Sequence, residues 1–115
     1  MYGEAIVELQ KAVQLSAGDP YYEGALGHAY AVSGNVRAAR RMLVLLKSRS
    51  RQQYIPAYAI ALIYAGLGEK DKAFGWLGKA YEDRSTSLAY LKVDPVLNSL
   101  RSDPRFVALV QRIAF

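Results

Sequence analysis

The chain has 115 residues, of which 52% are hydrophobic, and a net charge of +5. This length fits one domain, and the hydrophobic content excludes intrinsic disorder, which needs low hydrophobicity and high net charge. The chain contains no cysteine, which excludes disulfides, thiolate catalysis and thiolate-bound metal sites.

Targeting and membrane signals are also missing from the sequence. No apolar run approaches the ~20 residues that a membrane-spanning helix needs. The first ten residues, MYGEAIVELQ, lack the basic segment and cleavage site of a signal peptide. We therefore expect a protein without membrane association and with a cytoplasmic location.

The first half of the chain contains three segments with helical periodicity. Residues 2–16 place apolar side chains at i, i+3 and i+4 spacing, which predicts an amphipathic helix. Asp19 and Pro20 predict the start of a second helix at about 20–33, with Asp as N-cap and Pro at the first helical position. Gly34 ends that helix, and residues 36–48 form the third.

The second half contains two further helices and then a change of pattern. One helix is predicted at about 54–67, with Pro56 in its first turn and Gly68 at its end. The next spans 69–83, with Glu69 and Asp71 in the first turn, where acids favour the helix dipole. Two short apolar pieces follow at 88–93 and 96–100. Asp103 then opens a final helix.

The helices repeat with a period of 34 residues. Small, aromatic and aliphatic residues recur in phase, as the pairs Gly27/Ala61, Tyr30/Tyr64, Gly34/Gly68, Ala39/Ala73, Leu43/Leu77 and Leu46/Ala80 show. One period earlier, Ala5, Leu9 and Ala12 fall in the same phase. A helix–turn–helix unit with this period resembles the tetratricopeptide repeat (TPR) family.

The resemblance covers about residues 2–85 and implies an all-α fold, a right-handed α-α superhelix of TPR helix pairs. It divides residues 1–85 into a half repeat at 2–18 and repeats at 19–53 and 54–85. Residues 86–115 are predicted to form a C-terminal helical cap, because a solenoid needs an atypical unit over its last apolar face. Since the chain starts in mid-repeat, we expect a piece of a longer protein.

The sequence departs from the family pattern at four positions, and its tail shows a further resemblance. The family's Trp in the first helix is replaced by Glu23 and Ala57, and its Pro after the second helix by Arg51 and Ser85. The tail resembles the ending of bacterial multidomain regulators, in which a TPR region follows a signalling or DNA-binding domain.

The resemblance also implies a concave groove lined by the first helix of each repeat. Such a groove is apolar and bears tyrosines, which suits capture of a peptide or helix. The alternative is that the cap or the next repeat covers it. The implied groove residues are Tyr21, Gly24, His28 and Ala31 from one repeat and Ile55, Tyr58, Leu62 and Ala65 from the next.

Two other partner classes remain open. Self-association as a homo-oligomer could cover Ala5, Leu9 and Ala12, which lack a preceding helix in this sequence. Nucleic-acid binding is less favoured, because helical-repeat RNA readers need polar groove side chains. The candidate nucleic-acid site is a basic cluster formed by Arg37, Arg40, Arg41, Lys47, Arg49 and Arg51. The same cluster could equally be a solvated helix face.

Catalytic and metal motifs are missing from the sequence. His28 is the only histidine and has no carboxylate at i±3 or i±4, which disfavours a metal site. No nucleophile elbow or phosphate loop is present. We therefore expect a non-enzymatic protein-interaction module without cofactor or metal.

Overall fold

The computed structural model describes residues 2–17, 19–52, 55–83, 91 and 94–113. These ranges are helical and contain no strand, which confirms the all-α prediction. The helices, in chain order, are α1 (Tyr2–Leu15), α2 (Pro20–Val32), α3 (Val36–Arg49), α4 (Ala57–Gly66), α5 (Lys70–Glu82), the 3-10 helix η1 (Pro95–Leu100) and α6 (Pro104–Ile113).

Side-chain caps fix the starts of α2 and α3. The Asp19 carboxylate accepts a hydrogen bond from the Tyr21 amide at 2.9 Å, and Pro20 occupies the first helical position. The Asn35 side chain accepts a bond from the Ala38 amide at 3.2 Å. Each bond satisfies an amide that lacks a partner within its own helix, so the predicted start at Asp19 is confirmed.

The predicted start of α4 is wrong by about three residues. Pro56 is not in the first turn but is the N-cap, with φ −57° and ψ 129°. This extended conformation cannot continue a helix backwards, so α4 begins at Ala57. Residue 54, which the prediction placed at the start of the helix, lies outside the described ranges.

Local geometry recurs after 34 residues in the two hairpins α2–α3 and α4–α5. Gly34 and Gly68 both have positive φ, 97° and 77°. The amides of the following residues donate to Tyr30 O at 2.8 Å and to Tyr64 O at 3.1 Å. Six residues of α3 and α5 form equivalent buried pairs, Ala39/Ala73, Leu43/Leu77 and Leu46/Ala80.

Helix α4 forms the centre of the core. Nine of its ten residues are buried, because it packs against α2, α3, α5 and η1. Helix α2 runs beside it in the same direction and at close range. A Cβ at Gly24 would lie 2.5 Å from Ala59 O, and a Cβ at Gly66 would lie 2.9 Å from His28 O. Glycine at both positions permits this approach.

The C-terminal segment packs on the second hairpin. Leu97 and Leu100 of η1 are fully buried against the core, and α6 packs on α5. Most of the apolar piece predicted at 88–93 lies outside the described residues. Leu91, which is described, is fully buried.

Candidate functional site

Seven of the eight predicted groove residues lie on the neighbouring helices α2 and α4, and Ile55 lies just before α4, but the eight do not line an open groove. Tyr21 and His28 are half-buried, and the other six are buried. Tyr58 and Leu62 are 0% exposed. The sequence left open whether the cap covers this face. It does, because η1 packs on α4 and its leucines join the same core.

Gly24 and His28 lie in the contact between α2 and α4. Both face α4 at the points where the two helices approach most closely, Gly24 at Ala59 and His28 at Gly66. Gly24 therefore contributes to helix packing in this chain.

Asp94 is the polar centre of the covered face. Its carboxylate oxygen Oδ2 accepts hydrogen bonds from the hydroxyls of Tyr58 at 2.7 Å and Tyr21 at 3.3 Å. The two tyrosine rings stack with centroids 6.4 Å apart. Asp94 is only 3% exposed, and a buried carboxylate requires such donors to offset its loss of hydration.

The same residue holds the C-terminal segment in place. Asp94 Oδ1 accepts a bond from the Val96 amide at 3.0 Å and so caps η1. Arg101 Nη2 donates to the Asp94 carbonyl oxygen at 2.9 Å. One side chain thus joins α2, α4 and η1, because both carboxylate oxygens are used.

Burial changes the pKa values of two groups near Asp94. Burial raises the pKa of Tyr58 well above its ordinary range, and the hydrogen bond to the Asp94 carboxylate acts in the same direction. Burial lowers the pKa of His28, while the Asp94 carboxylate opposes this shift. Tyr58 therefore remains a neutral hydrogen-bond donor, and the folded state favours a neutral imidazole at His28.

The predicted basic cluster divides into two groups of three. Arg40 pairs with Glu69 at 2.9 Å, and Lys47 Nζ donates to the Tyr64 hydroxyl at 2.6 Å. Arg49 Nη1 bonds both oxygens of Glu23, at 2.6 and 2.8 Å.

The other three residues of the cluster are exposed, and no ion pair from the described part of the chain reaches them. They are Arg37, Arg41 and Arg51.

The predicted self-association residues lie on a helix with little cover. Ala5 is exposed, and Leu9 and Ala12 are half-buried. Among the described side chains of α1, none is buried, and Val7 and Leu15 are 47% and 88% exposed. This helix packs only on α2 among the principal helix contacts.

Sequence reasoning missed two polar anchors, Asp94 and the Glu23–Arg49 pair. The Asp-Pro sequence at 94–95 predicted a helix start, but nothing local indicated that two tyrosines more than 35 residues away would bond the carboxylate. Glu23 is 6% exposed inside an apolar helix. An acidic residue within an apolar helical segment could have indicated that a basic side chain lies nearby, because buried carboxylates are almost always paired.

The described residues provide no candidate metal centre. No group of three His, Cys, Asp or Glu side chains lies close enough to hold a metal ion in the ranges that the structure covers. Within the same ranges, no helix combines the length and the apolar character needed to cross a membrane. Comparisons with protein-family models, with curated proteins and with solved structures find no match to this chain.

Proposed function

We propose that this chain is a non-enzymatic interaction module of the TPR type, built as a right-handed superhelix of helix pairs. The observation that carries the proposal is the recurrence of the same turn after 34 residues. At Gly34 and Gly68 the backbone has positive φ, and the next amide bonds back to a tyrosine carbonyl in both turns. Repeats of this kind create extended surfaces on which partners bind.

The proposed partner is a peptide or helix that binds the face between α2 and α4. The chain's own C-terminal segment supports this choice, since it occupies that face through Asp94 and through leucines of η1. A partner would therefore carry a carboxylate flanked by aliphatic residues. It would compete with a tethered segment, whose effective concentration reaches the millimolar range for short connections.

Peptide selection on the intact chain tests this proposal. A random peptide library is panned on the immobilised protein, and the best binder is mapped by amide chemical shifts. We expect shifts in α2, α4 and residues 94–101, with weaker binding to Tyr21→Ala than to the neighbouring control Tyr22→Ala. Selection that yields no saturable binder, or one whose shifts avoid this face, would contradict it.

Self-association is a second candidate, favoured by the exposed apolar side chains of α1. Val7 and Leu15 leave apolar surface uncovered, and a second copy could cover it together with Ala5, Leu9 and Ala12. Light scattering over a wide concentration range tests this. We expect a dimer that Ala12→Glu dissociates, whereas a strict monomer at high concentration would exclude the idea.

Nucleic-acid binding has less support from the contacts. Three of the six residues in the basic cluster already bond Glu69, Tyr64 or Glu23. A gel shift that weakens steeply with salt would be the sign of phosphate binding.

A further inference from the structure

We propose that the outer surface of α3 docks an acidic amphipathic helix of another protein. The outer α3 surface is defined by Val36, Arg37, Arg40, Arg41, Val44 and Leu45, and the first five of these line one shallow groove. They form two adjoining rows along the helix, because residues four apart lie on one face. Val36, Val44 and Leu45 are 44%, 66% and 44% exposed.

The charge of this surface is only partly neutralised within the described ranges, by the pair between Arg40 and Glu69. Helix α3 contains five basic residues and no acidic one. No ion pair in the described ranges reaches Arg37 or Arg41. Arg37 also lies in the first turn, where the helix dipole disfavours a cation. An acidic partner would relieve both unfavourable features.

The second hairpin shows what kind of element fits such a surface. The residues of α5 that are equivalent to Arg37, Arg40 and Val44, displaced by 34 positions, are Asp71, Phe74 and Gly78. Helix α6 packs beside Phe74 and Gly78, and it reaches the exposed Asp71 through Arg105.

The contacts of α6 define how that helix is held. Arg105 Nη1 pairs with Asp71 at 2.6 Å, and its guanidinium lies 4.5 Å from the centre of the Phe74 ring. Arg112 lies 4.7 Å from the Tyr81 ring. An amphipathic helix with a strong apolar face thus packs on α5 through basic side chains at both ends.

On α3 the equivalent positions are all basic, so one acidic and two aromatic residues of α5 are replaced by cations. Arg37 replaces Asp71, Arg40 replaces Phe74 and Lys47 replaces Tyr81. The α4–α5 hairpin contacts this stripe at Arg40 and Lys47, and Val44 between them remains mostly exposed. A helix docked there must present aliphatic residues to Val36 and Val44 and carboxylates to Arg37 and Arg41.

Other occupants fit this surface less well. A second copy that docks through its own α3 places like charges together, because that helix contains five basic residues and no acidic one, and like charges repel. Single-stranded nucleic acid favours aromatic side chains for stacking, and the outer α3 surface has aliphatic ones between its arginines. This inference concerns a different surface from the α2–α4 face and does not depend on the function proposed there.

Two matched peptides test the inference on the intact chain. The first has the sequence of residues 103–113 with Arg105→Glu and Arg112→Glu, which gives an acidic amphipathic helix. The second is the unaltered segment. We expect the acidic peptide to bind about tenfold more tightly at low salt, to shift the amides of residues 36–45, and to lose affinity as salt screens the charges.

Matched protein variants locate the binding surface. We expect Arg37→Glu/Arg41→Glu to weaken binding of the acidic peptide at least tenfold, and Leu45→Ser to weaken it without a change of charge. The control Lys70→Glu/Lys79→Glu changes the net charge equally at positions of α5 that are equivalent to Val36 and Leu45, and it should leave binding nearly unchanged. Circular dichroism checks that each variant is folded.

Several results would overturn the inference. These are equal binding of the two peptides, equal weakening by the two double variants, or shifts confined to α5 and α6. A dimer that Arg37→Glu/Arg41→Glu dissociates would identify a second copy as the occupant instead. Displacement of the acidic peptide by duplex DNA at physiological salt would identify a nucleic-acid surface.

Discussion

Replacing Gly24 with alanine tests the close approach of α2 and α4. The new Cβ would lie 2.5 Å from Ala59 O and 3.0 Å from Ala59 Cα, whereas ordinary contact begins at 3.4 Å. These are backbone atoms, so no side-chain rotation can relieve the clash. The two helices must separate, although nine of the ten residues of α4 are buried.

The expected cost is the difference between two opposing effects. Alanine stabilises a helix by up to about 1 kcal/mol relative to glycine. Overpacking a tight interior costs about 1–3 kcal/mol. Gly75→Ala isolates the first effect, because Gly75 is in α5 and its Cβ would meet no atom within 4 Å. We therefore expect Gly24→Ala to be about 1–3 kcal/mol less stable than Gly75→Ala.

Urea unfolding of the two variants and the wild type measures this difference. Circular dichroism and the fluorescence of Trp76 report the transition, and equal slopes allow the midpoints to be compared as stability. The reasoning is wrong if both alanine variants gain the same stability, since α2 and α4 would then have room for a methyl group in solution.

Three further variants test the polar contacts. Arg49→Met should cost about 3 kcal/mol in urea unfolding, because it leaves the buried Glu23 carboxylate without its cation; this is the low end for a broken buried pair, since Arg49 is partly exposed. Adding Glu23→Gln should restore much of this loss. Tyr58→Phe should cost about 1–3 kcal/mol by removing the shorter hydrogen bond to Asp94, and a thermal scan that shows no change would contradict this. Burial lowers the pKa of His28 from 6.5, so the unfolded state takes up a proton first as pH falls below 6.5. Stability should then fall by at most about 1.4 kcal/mol per pH unit, and His28→Gln should remove this slope in urea titrations between about pH 7.5 and 5.5.

Local signals predicted the helices well because each depends on neighbours in the sequence. Asp19 caps α2 by bonding an amide two residues away, and Gly34 ends it through its own backbone angle. The buried faces of α3 and α5 follow from helical periodicity. The start of α4 was harder, because Pro56 is compatible both with a first helical turn and with the N-cap position.

Long-range polar contacts could not be predicted in the same way. Asp94 bonds tyrosines that are 73 and 36 residues away, and Arg49 pairs with an acid 26 residues away. Their formation depends on how helices are arranged in space. The sequence alone shows only that a buried carboxylate needs donors, and it contains nine tyrosines and fifteen basic residues that could supply them.

The covered face between α2 and α4 shows why an apolar stripe is a weak sign of binding. The Tyr58 hydroxyl needs an acceptor and Leu62 needs apolar neighbours, whether these come from the same chain or from a partner. The chain's own segment at Asp94 meets both needs, so the stripe is equally consistent with a core. Val44 and Arg37 are better evidence for a binding surface, because Val44 is exposed and no ion pair reaches Arg37 in the part of the chain that the structure describes. Since α5 replaces them with Gly78 and Asp71 in the same hairpin geometry, helix packing does not require an aliphatic and basic surface on α3.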